Sequence, residues 1–270
     1  MFSASLAFGE SADTIREAQI PFEIPSGAEL TRRLNGVLQS LYLLFNEGYK
    51  ASSGEKLVRE DICYEAIRLT GLLAAHPSGN RPATHALLSL MLFNSARIPT
   101  RVDGAGNLLL LDEQDRARWD RRLMAKALFH FAQSAEGGEI TSYHLQAGIA
   151  ACHCTAKDYE STDWIQILRF YDQLVKFDHS PVVALNRAIV VANIHGPTAG
   201  LAATEEIPAR DKLNSYYLLH AVLGDLNARL DQSEAAAGHF RKSLNLAGTT
   251  SERTFLTKRI YDCASQASLP

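Results

Sequence analysis

Residues 223–240 read LGDLNARLDQSEAAAGHF. Two amphipathic helices meet here, one ending after Leu230 and the next opening at Ser233, and the short polar link between them makes the pair a helical hairpin. Leu223-Gly224 on the first helix and Ala236 on the second leave little bulk at the crossing, so the backbones approach closely, while Phe240 fills the space between this hairpin and its neighbour. Ala188 and Gly200 stand 36 residues upstream of Gly224 and Ala236, so the small-residue crossing recurs. The period is slightly longer than the roughly 34 residues usual for paired-helix repeats, and Thr204 stands where the aromatic would recur. Hairpins that cannot bury their faces alone stack into an array with a concave surface, and such surfaces bind peptides or other domains.

Working outward, apolar residues at i, i+3, i+4 and i+7 predict helices over 29–48, 55–76, 82–96, 114–134, 142–155, 163–177, 181–194, 198–204, 211–230, 233–247 and 251–267. Pro99, Gly104 and Gly106 interrupt the pattern, and the apolar run 108–111 reads as a short buried extended segment. The spacing of Leu223, Gly224, Ala236 and Phe240 is that of a tetratricopeptide helix pair. The expected fold is therefore all-α: tetratricopeptide-like helical hairpins stacked in a right-handed superhelix, with one irregular or extended segment near 98–112. Residues 27–178 are expected to form a helical domain of paired helices, and 179–270 tetratricopeptide-like repeats packed continuously with it.

Twenty-seven Lys and Arg against 30 Asp and Glu leave a net charge of -3, which offers no global attraction to nucleic acid. The longest apolar stretches, 38–45 and 108–111, are far shorter than the roughly 20 residues of a membrane span, and no secretory leader is legible. A cytoplasmic location and no membrane partner follow as expectations. Cys63, Cys152, Cys154 and Cys263 are too scattered for a disulfide framework and read as reduced core residues. Phosphate-binding glycine loops, Gly-x-Ser-x-Gly and His-Glu-x-x-His are missing, so the chain is expected not to be an enzyme and to carry no cofactor. Cys152-His153-Cys154 invites zinc, but adjacent helical residues point about 100° apart, so no metal is expected.

Two charged motifs are candidates for a partner surface. One comprises Asp112, Gln114, Asp115, Arg116, Arg118 and Trp119, in which the arginines would pair with a partner's carboxylates around an anchoring tryptophan; capping of the following helix by Asp112 is the competing reading. The other is the helix end with Asn46, Glu47 and Tyr49, where Glu47 at a helix C-terminus calls for a cation. Both are expected on one surface. His144, Gln146, His153, Asn186 and Arg187 are candidates for the concave face, with Asp163 and Asp172 as candidate hydrogen-bond partners of His153.

Five ordered stretches, IREAQIPF (15–22), LYLLFNEGY (41–49), LLDEQDRARWD (110–120), HLQAGIAACH (144–153) and SPVVALNRA (180–188), carry a further likeness. Together they resemble the C-terminal extension of bacterial RNA polymerase sigma factors of the extracytoplasmic-function type that carry a tetratricopeptide-like domain behind the sigma core. The resemblance implies a regulatory extension whose partners are the sigma core and RNA polymerase or another protein, with promoter DNA reached only through the sigma core. Residues 1–26 then read as the linker after that core. Met1 to Thr14 holds no Lys or Arg to meet a phosphate backbone, so the chain is expected not to initiate transcription alone. The alternatives are a free-standing tetratricopeptide adaptor, and a small-molecule sensor or enzyme using His144 and His153.

Overall fold

The computed structural model describes residues 28–51, 58–104 and 106–267. The motif at 15–22 and the linker assigned to 1–26 lie outside the described residues. Among the described residues eleven α-helices follow one another: α1 (Ala28–Tyr49), α2 (Glu60–Ala75), α3 (Pro82–Ala96), α4 (Arg121–Ser134), α5 (Ser142–Thr155), α6 (Trp164–Phe177), α7 (Pro181–His195), α8 (Pro197–Glu205), α9 (Tyr217–Ala228), α10 (Ser233–Leu246) and α11 (Thr250–Ala267). The only extended pairing among the described residues is a single antiparallel bridge between Val102 and Leu108. None of the described helices is long and apolar enough to cross a membrane.

The apolar stripes form a relay of small cores. Leu34, Leu38, Leu41 and Phe45 of α1 pack on Cys63 and Ala66 of α2 and on Leu87 and Met91 of α3. The next core joins α3 to α4 and α5 through Phe93, Met124, Ala127 and Ala150, with Trp119 inserted. Leu145, Ile167 and Val190 then link α5, α6 and α7, Leu185 and Leu219 link α7 to α9, and Phe240 and Leu256 link α10 to α11. The helices are thus joined in chain order by successive small cores, with α3 shared by the first two of them. Helix α3 is apolar nearly all round because α1, α2, α4 and α5 all pack on it. Ser89 on it donates to the Ala127 carbonyl of α4 at 2.9 Å, whereas the buried Thr84 and Ser95 hydroxyls have no hydrogen-bond partner among the described residues. Cys63, Cys154 and Cys263 are buried thiols, and burial pushes Cys63 and Cys154 up to about 11.

The small-residue crossings have a direct steric cause. A Cβ on Gly224 would lie 2.7 Å from the Phe240 ring, and one on Gly200 would lie 2.5 Å from the Ala192 Cβ. The predicted spans 82–96 and 142–155 coincide with α3 and α5. Two others do not. The span expected at 114–134 is a 3-10 turn, Arg116–Arg118, followed by α4, because Trp119 takes an extended backbone (φ -68, ψ 140) as its ring enters the core. The cap of α4 is accordingly Asp120, whose Oδ1 accepts the Arg122 and Leu123 N–H groups at 2.8 and 3.0 Å, and not Asp112. The span expected at 211–230 is a 3-10 turn, Arg210–Leu213, and then α9.

Gly224→Val should lower stability by about 1–3 kcal/mol by forcing α9 from α10. Gly71→Ala on α2, where an added Cβ meets nothing within 4 Å, should raise it by about 0.5–1 kcal/mol. Urea midpoints measured side by side test both signs.

Candidate functional site

A cavity of about 1170 Å³ runs along the inner side of the C-terminal half. Its walls come from alternate helices: Asn186, Val190 and Asn193 of α7, Ala221 and Asp225 of α9 with Arg229 at its end, and Phe255, Arg259 and Asp262 of α11. These sets recur at i, i+4 and i+7 or i+8, one face of each helix. From α10 only Phe240 reaches the cavity, and from α8 no residue does. His153 of α5, Tyr159, Trp164 of α6 and, from the irregular connection, Leu108, Leu110, Leu111 and Asp112 complete the lining.

Contacts far apart in sequence hold that connection in place. Ser251 at the start of α11 donates to the Gly106 carbonyl at 3.0 Å. Next to it, Glu252 is 3% exposed, accepts the Gly248 and Thr249 N–H groups at 3.2 and 3.0 Å, and stands 3.9 Å from the Lys50 ammonium. Lys50 also lies 4.5 Å over the Tyr217 ring, and burial pulls its ammonium down while Glu252 opposes the shift. The end of the first helix therefore meets the start of the last.

The lining around Trp164 is aromatic and polar at once. Trp164 makes edge contacts with Tyr159 and His153 at ring separations of 5.0 and 5.4 Å. Tyr159 hydrogen-bonds Asn193, and burial followed by Asp112 pushes its hydroxyl up. Arg229 donates to the Ala192 carbonyl at 3.2 Å, and Arg259 pairs with Asp225 at 2.8 Å while lying over Phe240. Burial, with Arg97 and Arg116 nearby, holds His153 down to about 3, so its ring is neutral and its Nδ1 has no hydrogen-bond partner among the described residues. Asn186 is half-buried and faces the same space. Such a surface offers aromatic contact area and amide hydrogen-bonding groups. Among the described residues no three His, Cys, Asp or Glu side chains are grouped to hold a metal ion.

Of the residues expected on the concave face, His153 and Asn186 line the cavity. The other three lie elsewhere. His144 accepts the Thr141 N–H at 3.1 Å and reaches the Ser134 carbonyl, closing the start of α5. Gln146 accepts the Tyr42 hydroxyl at 2.8 Å, and Arg187 pairs with Asp172 at 2.7 Å. Asp163 caps α6 through the Gln166 N–H, so neither acid serves His153.

The 112–120 motif divides between interior and surface. Asp112 is at the cavity rim, Asp115 caps the 3-10 turn, and Arg118 is exposed. Gln114, Arg116 and Trp119 are interior, which corrects their assignment to a partner surface. Gln114 donates to the Leu109 carbonyl. Arg116, 8% exposed, donates to the carbonyls of His153 and Ala156 at 2.7 and 3.1 Å and to the Thr162 hydroxyl at 3.1 Å, with its guanidinium 5.0 Å from the Trp119 ring centre. Trp119 donates to the Thr100 hydroxyl at 2.8 Å. The Asn46 carbonyl accepts the Lys50 N–H, Glu47 lies one residue further along the same helix end, and Tyr49 stacks on Phe45 beneath the Arg101 guanidinium. The interior members of the two motifs connect through the turn holding Thr100 and Arg101, since Trp119 bonds Thr100 and Arg101 covers Tyr49.

Sequence reasoning passed over Tyr159, Trp164, Asn193, Arg229 and Arg259. The signal available was the i, i+7 pair of asparagines, Asn186 and Asn193, on an otherwise apolar helix.

Residues 33–135 match DUF6596, a family of unknown function. That span holds most of α1 through α4 and the irregular connection that lines part of the cavity. The chain is also 36% identical over 253 residues to an uncharacterized protein of Rhizobium meliloti (strain 1021), a match covering 93% of this chain and 59% of the relative. The chain therefore spans less than two thirds of that relative's length. No solved structure matches.

Arg116→Ala should cost on the order of 3 kcal/mol, because buried carbonyls lose a charged donor, whereas Arg118→Ala should change stability by less than about 0.5 kcal/mol. Thermal unfolding of the two variants distinguishes them.

Burial likewise holds His85, His130, His144 and His239 below the ordinary histidine range. Since these folded values lie below the unfolded value of about 6.5, the unfolded chain binds more protons. Stability should be complete above about pH 7 and fall as pH drops from about 6.5 toward 3. His153→Phe should make that fall shallower, as urea midpoints from about pH 7.5 to 4.5 will report.

Proposed function

We propose that this chain is the regulatory, protein-binding extension of an extracytoplasmic-function RNA polymerase sigma factor, working in the cytoplasm without a cofactor. It is a tetratricopeptide-like right-handed superhelix whose groove receives a segment of the sigma core or of RNA polymerase. The observation that carries this reading is the cavity walled by alternate helices α7, α9 and α11, with amide capacity at Asn186 and aromatic surface at Tyr159 and Trp164. Amide side chains suit a polypeptide because they can donate to and accept from its backbone whatever its sequence. Aromatic rings add contact area at low entropic cost. Leu110, Leu111 and Asp112 of LLDEQDRARWD and His153 of HLQAGIAACH line this groove, and Arg116 bonds the His153 carbonyl, so two stretches that carry the resemblance border it.

A second reading, a small-molecule sensor, draws on the mixed aromatic and polar lining and on a volume just above the roughly 300–1,000 Å³ of ligand pockets. Immobilised chain incubated with RNA polymerase and a sigma core should retain both, and Asn193→Arg should reduce capture at least tenfold while Arg187→Ala leaves it unchanged. Equal capture by wild type and Asn193→Arg, or none by either, refutes the groove as the binding surface. Promoter-driven reporter output from the same variants joined to a sigma core reads the regulatory half of the proposal.

A further inference from the structure

The charges of the inner groove do not balance within its own lining. Asp112, Asp225, Glu252 and Asp262 stand there against Arg229 and Arg259, and His153, held neutral by burial, adds no charge. Asp225 takes Arg259 at 2.8 Å, and Glu252 takes Lys50 at 3.9 Å. Asp112 and Asp262, both exposed, remain in the lining with one further guanidinium, that of Arg229, which donates to the Ala192 carbonyl. The aromatic side of the lining lacks a cation as well. Of the chain's two tryptophans, Trp119 has the guanidiniums of Arg97 and Arg116 at 5.4 and 5.0 Å from its ring centre, whereas Trp164 has the rings of His153 and Tyr159 beside it and, among the described residues, no cation over it. Asp112 is near this pair, since after burial it contributes most to pushing the Tyr159 hydroxyl up, with Arg229 opposing.

We propose that the groove selects a basic polypeptide segment, seating an arginine or lysine side chain against Trp164 and Tyr159 with its charge toward Asp112. The inference rests on the reading of the groove as a polypeptide site and supplies the chemistry of the partner. An indole presents its negative quadrupole to a cation, and the attraction grows as water is excluded. The carboxylate beside it sets the sign of the charge that fits, which at an interface governs specificity and encounter more than raw affinity. The apolar stem of either basic side chain suits the same corner, because Leu110 and Leu111 precede Asp112 in the chain and line the groove with it. A glutamate in that place would meet Asp112 as a like charge, so the corner also rejects acidic segments. An uncharged segment would take water from Asp112 and Asp262 and return no counter-charge.

Peptides selected from a displayed library of random hexapeptides on the immobilised full chain test the charge. Arginine and lysine should be enriched at least threefold over the unselected library, with aspartate and glutamate depleted. Resynthesised peptides should bind at least tenfold more weakly once their basic residue becomes glutamine. They should lose a similar factor against the Asp112→Asn, Asp262→Asn double variant, whose circular dichroism should match wild type because both positions are exposed. Raised salt should weaken the basic peptides and leave their glutamine forms unchanged. Binding that is abolished by Asn193→Arg but shows no preference for basic residues, or is indifferent to the double variant, overturns the cation and leaves the polypeptide groove standing. A selection that yields no peptide sensitive to Asn193→Arg overturns both.

Discussion

A buried guanidinium organises the middle of this molecule. Arg116 gives its donors to two carbonyls at the C-terminal end of α5 and to the Thr162 hydroxyl on the segment leading into α6. Carrying a charge into the interior is costly unless its donors are all met. Here the carbonyls at a helix C-terminus, themselves short of donors and at the negative end of the dipole, supply the compensation. Burial and the neighbouring Arg97 pull its pKa down, yet a guanidinium stays protonated. Trp119, three residues on, lies against the same guanidinium, fills the core between α3 and α5, and bonds Thr100. The connection from 98 to 120 is thereby held at both ends, and Leu108, Leu110, Leu111 and Asp112 between them line the cavity.

Helices with strong local punctuation were legible. Pro82 opens α3 at a position where a missing N–H costs nothing, and the Thr141 and His144 pair closes the start of α5, so pattern and boundary agreed. The span 114–134 misled for a physical reason: acidic residues ahead of an amphipathic run imitate a helix start, while burying Trp119 needs an extended residue that no local pattern announces. Tertiary packing overrode propensity there.

The functional surface was legible only in fragments. His153 and Asn186 are reached by reading which helical face is polar, but His144 and Gln146, on the same helix as His153, turn to local capping and to Tyr42. Arg116 looked like a recognition residue because an arginine beside a tryptophan suits both an interface and a buried clamp; burial, which sequence does not supply, decides between them. Tyr159 and Trp164 sit at the break between α5 and α6, and their convergence with Asn193 and Asp112 depends on how three hairpins stack.

The two halves of the chain contribute different parts of one cavity lining, α7, α9 and α11 from one and residues 108–112 from the other. Two contacts tie these parts together: the Ser251 bond to Gly106, which is exposed, and the Lys50 and Glu252 pair between the end of α1 and the start of α11. The first is worth little, because exposed hydrogen bonds exchange freely with water. The second is stronger, since Glu252 is buried and also holds the start of α11.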